Sequence, residues 1–192
     1  MGEPGPQFAD YFGMTETITM RDRYLGAPEF DEMLASATKN VDLWTAVWRR
    51  AVVPDEFVQR VAALDGAWHL LVLSEDWCGD AVNTVPIVAR LAELAPNTDL
   101  RVLARDENLD LMDAHLTGTS RSIPVVMVLD EEFNERGWWG PRPAALQQWV
   151  LGPGQALDKD VRYREIRSWY ARDKGVSTLR EIVELMERGA LA

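Results

Sequence analysis

The chain has 192 residues, enough for one domain with extensions and short for two independent cores. It is 47% hydrophobic and 27% charged, the composition of a globular protein, and no run approaches the roughly 20 apolar residues of a membrane span. A net charge of −11 argues against a general nucleic-acid binder, whose affinity rests on Lys and Arg meeting phosphates, and a single cysteine excludes an internal disulfide and a multi-cysteine zinc site.

The first dozen residues, rich in Gly and Pro, read as a loose tail without the basic and apolar segments of a signal peptide. Met1-Gly2 lacks the Ser or Thr that myristoylation needs at position 6, which is Pro6. A cytoplasmic protein with no membrane contact is expected. A helix is predicted from Pro28, with Phe30, Met33, Leu34 and Ala37 on one stripe, continuing through Leu43, Trp44, Val47 and Trp48 to Arg50. Pro54 suits the first position of a further helix, with Phe57, Val61 and Leu64 as its apolar face.

His69 to Ser74 is nearly all apolar, as in a strand covered on both faces. It runs into Trp77-Cys78-Gly79-Asp80-Ala81 and then a helix through Leu94, closed by Pro96 and Asn97. A strand over Leu100–Ala104, a helix over Leu109–Leu116, a strand over Val125–Leu129, a turn at Asp130–Glu132 and a strand over Glu135–Trp139 follow, with a helix over Pro143–Val150. This order predicts an α/β fold with a mixed central sheet and helices on both faces. Beyond Gly152-Pro153-Gly154 a helix pair is expected. Tyr163, Ile166 and Tyr170 share a face of the first, Gly175 breaks the pair, and Thr178 with Glu181 has the spacing of a capping box for the second. Lys159, Arg162, Arg164, Arg167, Arg172 and Lys174 alternate with acids there, so a solvated face is preferred to a binding patch.

Cys78 sits where a buried strand passes into a helix. A thiol there faces free N–H groups and the positive end of the helix dipole, which favour the thiolate, the nucleophile of disulfide exchange. Glu75, Asp76 and Asp80 oppose this, and no Lys or Arg lies between Glu75 and Val88.

From about His69 to Val150 the sequence resembles the thioredoxin family. Trp77, Cys78, Gly79 and Asp80 match its Trp-Cys-Gly-x-Cys site, with Ala81 in place of the second cysteine. Pro86 matches its kinking proline, Arg121-Ser122-Ile123-Pro124 its Arg-x-Ile-Pro segment, and Gly140 follows the last strand as in the family. The resemblance implies a thioredoxin-like domain over residues 66–152, a tail and helical extension over 1–65, and a second helical extension over 153–192 packed on the same domain. It implies a cis Pro124 and a substrate groove formed by Trp77, Gly79, Ile123 and Pro124. Asp76, Asp80 and Ala81 would modulate the thiol. Two departures belong together: Ala81 cannot resolve a mixed disulfide, and the family's buried carboxylate, six residues before the first cysteine, falls on Val72.

Cys78 is therefore the candidate nucleophile of a monothiol exchange with protein or small-molecule disulfides, resolved by glutathione or another external thiol, with no cofactor and no metal. The alternative is a redox-inactive binding or adaptor protein using the same groove, with Trp44, Trp48, Trp169 and Tyr170 either packing inward or meeting a partner. Cluster binding of the monothiol glutaredoxin kind fits poorly, because Asp80-Ala81 departs from that motif. Oligomeric state is left open.

Overall fold

A computed structural model of the chain describes residues 18–191, so the tail read into the first dozen residues lies outside the described residues. Four strands form one mixed sheet in the order β2-β1-β3-β4. β1 (Trp68–Ser74) runs parallel to β2 (Thr98–Ala104) and antiparallel to β3 (Val125–Leu129), which pairs antiparallel with β4 (Glu135–Trp139). Every residue of β3 is buried, as is β1 except at His69, because helices cover both faces of these central strands. β1 begins one residue and β2 two residues ahead of their apolar runs. The ladder rather than hydropathy sets those ends: Trp68 pairs with Thr98 and His69 with Asp99.

The N-terminal helical region departs from the sequence reading. A short helix α1 (Met20–Gly26), capped by Thr19 and Asp22, precedes the predicted start. The continuous helix expected to Arg50 is two helices, α2 (Phe30–Ser36) and α3 (Val41–Arg50), broken at 37–40 with Asn40 in the left-handed region at φ 52°. Between α1 and α2, the Pro28 carbonyl accepts from Val102 and Glu29 bridges Arg101, so this segment lies along the outer edge of β2. Helix α4 (Asp55–Ala62) starts one residue after Pro54, which is its N-cap rather than its first residue.

Helix α5 (Gly79–Leu94) contains Pro86 and is buried along most of its length. Helix α6 (Leu109–Asp113) is shorter than expected and follows a 3₁₀ turn at Arg105–Glu107. Helix α7 (Ala144–Leu151) leads to α8 (Lys159–Asp173) and α9 (Val176–Ala190). In α8, Ile166 and Tyr170 are buried while Tyr163 is 47% exposed, so the expected three-residue face is a two-residue one.

The capping box read at Thr178 and Glu181 does not form. Thr178 is buried inside α9, whose N-cap is Gly175. Glu181 instead accepts from Trp139 Nε1 at 2.7 Å and from the Ala144 N–H at 2.8 Å, tying α9 to β4 and to the start of α7. Leu179, Ile182, Val183 and Met186 are fully buried in the same core cluster as β1, β3 and α5.

Candidate functional site

The strand β1 is held on both edges and delivers the chain at Ser74 into a tight loop, where the Cys78 N–H donates to the Glu75 carbonyl at 3.1 Å. Cys78 is the N-cap of α5, with extended backbone (φ −80°, ψ 115°). Its Sγ lies 3.4 Å from the Ile123 carbonyl oxygen, to which the thiol donates. The Ile123–Pro124 peptide is cis. Gly140 closes in behind it: at φ 143° a Cβ there would stand 2.1 Å from the Pro124 carbonyl oxygen, so only glycine fits. The structure thus brings Cys78, at the start of α5, against Ile123 and Pro124, which lead into β3. Trp77 beside them is 48% exposed, with the Arg105 guanidinium 4.9 Å from its ring centroid. Gly79 is exposed at the start of α5, and its carbonyl accepts from Asn83.

Cys78 itself is only 8% exposed. Burial pushes the thiol up from its ordinary value, and the Asp80 charge adds to this. The backbone N–H groups of Ala81 and Asp80 at the helix N-terminus and the Arg142 guanidinium pull the other way, and burial prevails. Ala81 is fully buried, so the position of the missing second sulfur is filled by a methyl group packed into the core. Val72, likewise fully buried, pairs with Val102 on one side and Val126 on the other, leaving an apolar strand centre where the family carries a carboxylate.

The three acids around the thiol do not act as a group. Glu75 Oε1 accepts from the Asp106 backbone N–H at 2.9 Å. Asp76 Oδ2 accepts from the Thr38 N–H, the Thr38 hydroxyl and the Lys39 N–H at 2.7, 3.0 and 2.9 Å, and these bonds hold its carboxyl below its ordinary value. The Asp76 carbonyl accepts from Asn40 and from Trp44 Nε1. Asp76 is therefore the anchor of the α2–α3 break rather than a group acting on the sulfur. Of the three acids, Asp80 is the one whose charge pushes the Cys78 thiol up.

Asp80 is itself neutralised from a distance in sequence. Its Oδ2 is 2.5 Å from an Arg142 guanidinium nitrogen, and its Oδ1 accepts from the Tyr170 hydroxyl at 2.8 Å. The missing basic partner is supplied by Arg142, in the loop between β4 and α7, which sequence spacing around Cys78 did not reveal. Among the described residues, Arg142 Nε is buried with no acceptor.

Trp44, Trp48, Trp169 and Tyr170 all pack against neighbouring side chains. Trp44 is fully buried, Trp48 lies under the Arg90 guanidinium at 3.7 Å and beside Phe30, and Tyr170 stands edge-on to Trp169. Trp139 is buried and Trp138 packs edge-on to His115. Among the described residues no cluster of three or more His, Cys, Asp or Glu is placed to hold a metal ion, and no helix is long and apolar enough to cross a membrane.

A family model described as thioredoxin matches residues 27–170, which takes in the N-terminal helices and α8 as well as the sheet. A solved protein of unknown function from Pseudomonas aeruginosa is similar at a TM-score of 0.71 and 20% identity, over 87% of this chain and 96% of that one. An HIV epitope scaffold is similar at a TM-score of 0.69 and 19% identity, again over 87% and 96%. Such coverage means that nearly the whole of each of those chains shares this fold, and at these identities the likeness speaks for the fold alone. No curated protein matches the sequence.

Proposed function

Since this chain belongs to the thioredoxin family, we propose that it carries out thiol–disulfide exchange as a monothiol, through Cys78. The supporting observation is the placement of its one cysteine at the N-cap of α5, with Sγ against the carbonyl that precedes cis Pro124. A partner disulfide would enter past the exposed Trp77 and Gly79 and lie along Ile123 and Pro124. After losing its proton to solvent, the Cys78 sulfur attacks one sulfur of that disulfide. A new S–S bond forms, the old one breaks, and the departing sulfur leaves as a thiolate that takes up a proton. Ala81 carries no sulfur, so a second, external thiol such as glutathione must attack the mixed disulfide, restoring Cys78 and forming the released disulfide.

A second reading, a redox-inactive groove that binds extended peptides, draws support from the burial of the thiol and the upward displacement of its pKa. One experiment separates the two. The protein is incubated with a glutathionylated peptide and the products are followed by intact mass. The monothiol reading expects a covalent adduct on the wild type, none on Cys78→Ser, and loss of the adduct on adding reduced thiol. Peptide binding that survives Cys78→Ser, with no adduct on the wild type, would instead favour the binding module. Asp80→Asn removes the negative charge nearest the sulfur and is expected to move the alkylation pH profile of Cys78 to lower pH. An unchanged profile would mean that Asp80 does not tune the thiol.

A further inference from the structure

Helix α8 is built differently from the helix that follows it. The apolar face of α9 is part of the main core. Helix α8 buries only Ile166 and Tyr170, in a separate small cluster with Leu146 of α7, flanked by Trp149, Val150 and Trp169. Its C-terminal end is fixed. Lys174 and Gly175 are both left-handed, at φ 53° and 84°, and a Cβ on Gly175 would stand 2.3 Å from Ile87 Cδ1, so this junction is seated against α5. From there the helix runs back past the first turn of α5, where the Tyr170 hydroxyl donates to Asp80.

That contact bears on the thiol. Asp80 is two residues beyond Cys78 and is held by Tyr170 and Arg142 together. Arg142 and Asp80 are both close enough to act electrostatically on the sulfur, and Tyr170 in turn feels the charge of Cys78. Beside this contact Cys78 is 8% exposed, with its thiol bonded to the Ile123 carbonyl, in a protein that presents Trp77 and Gly79 openly next to it.

We infer that α8 is an autoinhibitory strap: docked through Tyr170 on Asp80, it masks Cys78, and its release about the Lys174–Gly175 junction uncovers the thiol. This rests on the monothiol reading and adds its regulation. Docked and released forms differ by one small apolar cluster and one hydrogen bond to a carboxylate, while α9 and the sheet stay in place. Such a local opening needs far less than global unfolding. The observed reactivity of the sulfur is its intrinsic reactivity reduced by the fraction of molecules in the open form. In the released form Arg142, whose Nε has no acceptor among the described residues in the docked one, remains beside Cys78.

The test is the rate of Cys78 alkylation by iodoacetamide across pH, on the full chain. Tyr170→Phe removes the hydroxyl while keeping the ring, and Ile166→Ala loosens the α7–α8 cluster. Arg167→Ala changes an exposed position on the same helix. Tyr170→Phe and Ile166→Ala are each expected to raise the plateau rate about tenfold or more, the scale of one lost hydrogen bond to a charged group, and Arg167→Ala to leave it unchanged. A purely electrostatic role for Tyr170 would shift the midpoint of the pH profile and leave the plateau alone, which would overturn the strap. So would wild-type plateau rates in both Tyr170→Phe and Ile166→Ala; if one variant fails to fold, the other decides. The adduct assay on the same proteins keeps the two ideas separate. Faster alkylation without any mixed disulfide sinks the monothiol reading and spares the strap, whereas an adduct formed with unchanged alkylation does the reverse.

Discussion

At position 115 both imidazole nitrogens face acceptors. Nδ1 is 2.7 Å from the Leu111 carbonyl oxygen, and Nε2 is 3.0 and 3.1 Å from the two Glu135 carboxylate oxygens. Only the doubly protonated ring donates to both, and the side chain is nearly inaccessible. The hydrogen bond to Glu135 raises the His115 pKa and burial opposes it, with the bond prevailing. A group whose native pKa is raised stabilises the fold fully below its unfolded value, about 6.5, and loses that contribution as pH rises through the native value. The melting temperature is therefore expected to fall as pH rises above about 6.5, and to fall less in His115→Gln. Equal pH dependence in the two proteins would show that His115 is not charged in the native state. Neither the Glu135 partner nor the closed environment is visible around His115 in sequence, because Glu135 arrives from β4 while His115 follows α6.

Among the elements, the α2–α3 break shows how a loop can be specified from elsewhere. Hydrophobic spacing through 30–50 is continuous, so periodicity alone predicts one helix. The carboxylate of Asp76 captures the Thr38 and Lys39 N–H groups and the Thr38 hydroxyl, which a continuous helix would have used internally, and α3 restarts at Val41. Asp76→Ala is expected to cost about 2 kcal/mol, the loss of several charge-assisted hydrogen bonds partly replaced by water. Urea unfolding measures this; a midpoint within error of the wild type would show that the break forms without Asp76. The same replacement is expected to leave the alkylation midpoint of Cys78 in place, since Asp76 is not among the charges acting on the sulfur. A shift comparable with that of Asp80→Asn would return Asp76 to the role the sequence suggested for it.

On the scale of the whole molecule, the two ends of the chain complete the sheet's core. Tyr24, Phe30 and Trp44 from the N-terminal helices and Leu179, Ile182, Val183 and Met186 from α9 belong to one buried cluster with β1, β3 and α5. Glu187 of α9 forms a two-pronged hydrogen-bonded pair with Arg60 of α4, at 2.8 and 2.7 Å, joining the two extensions to each other. Leu179→Ala is expected to destabilise by about 3 kcal/mol, within the usual range for a fully buried leucine. Tryptophan fluorescence and far-ultraviolet circular dichroism should then report the same single transition. Two separated transitions would mean that α9 unfolds independently of the sheet.

The sequence alone determined the order of strands and helices from His69 to Val150 and the position of the lone thiol at a strand-to-helix junction. Those features are written in local patterns: an unbroken apolar run for a strand buried on both faces, helical periodicity after it, and a short motif with prolines at fixed offsets. It also fixed the absence of a second sulfur at Ala81. Tertiary structure alone decided which charges reach Cys78. Glu75, Asp76 and Asp80 are neighbours in sequence, yet their carboxylates are claimed by Asp106, by Thr38 and Lys39, and by Arg142 and Tyr170. Electrostatic influence depends on distance through space and on burial. A tyrosine ninety positions away therefore holds the carboxylate nearest the thiol, while a carboxylate two positions before the cysteine is held by Thr38 and Lys39.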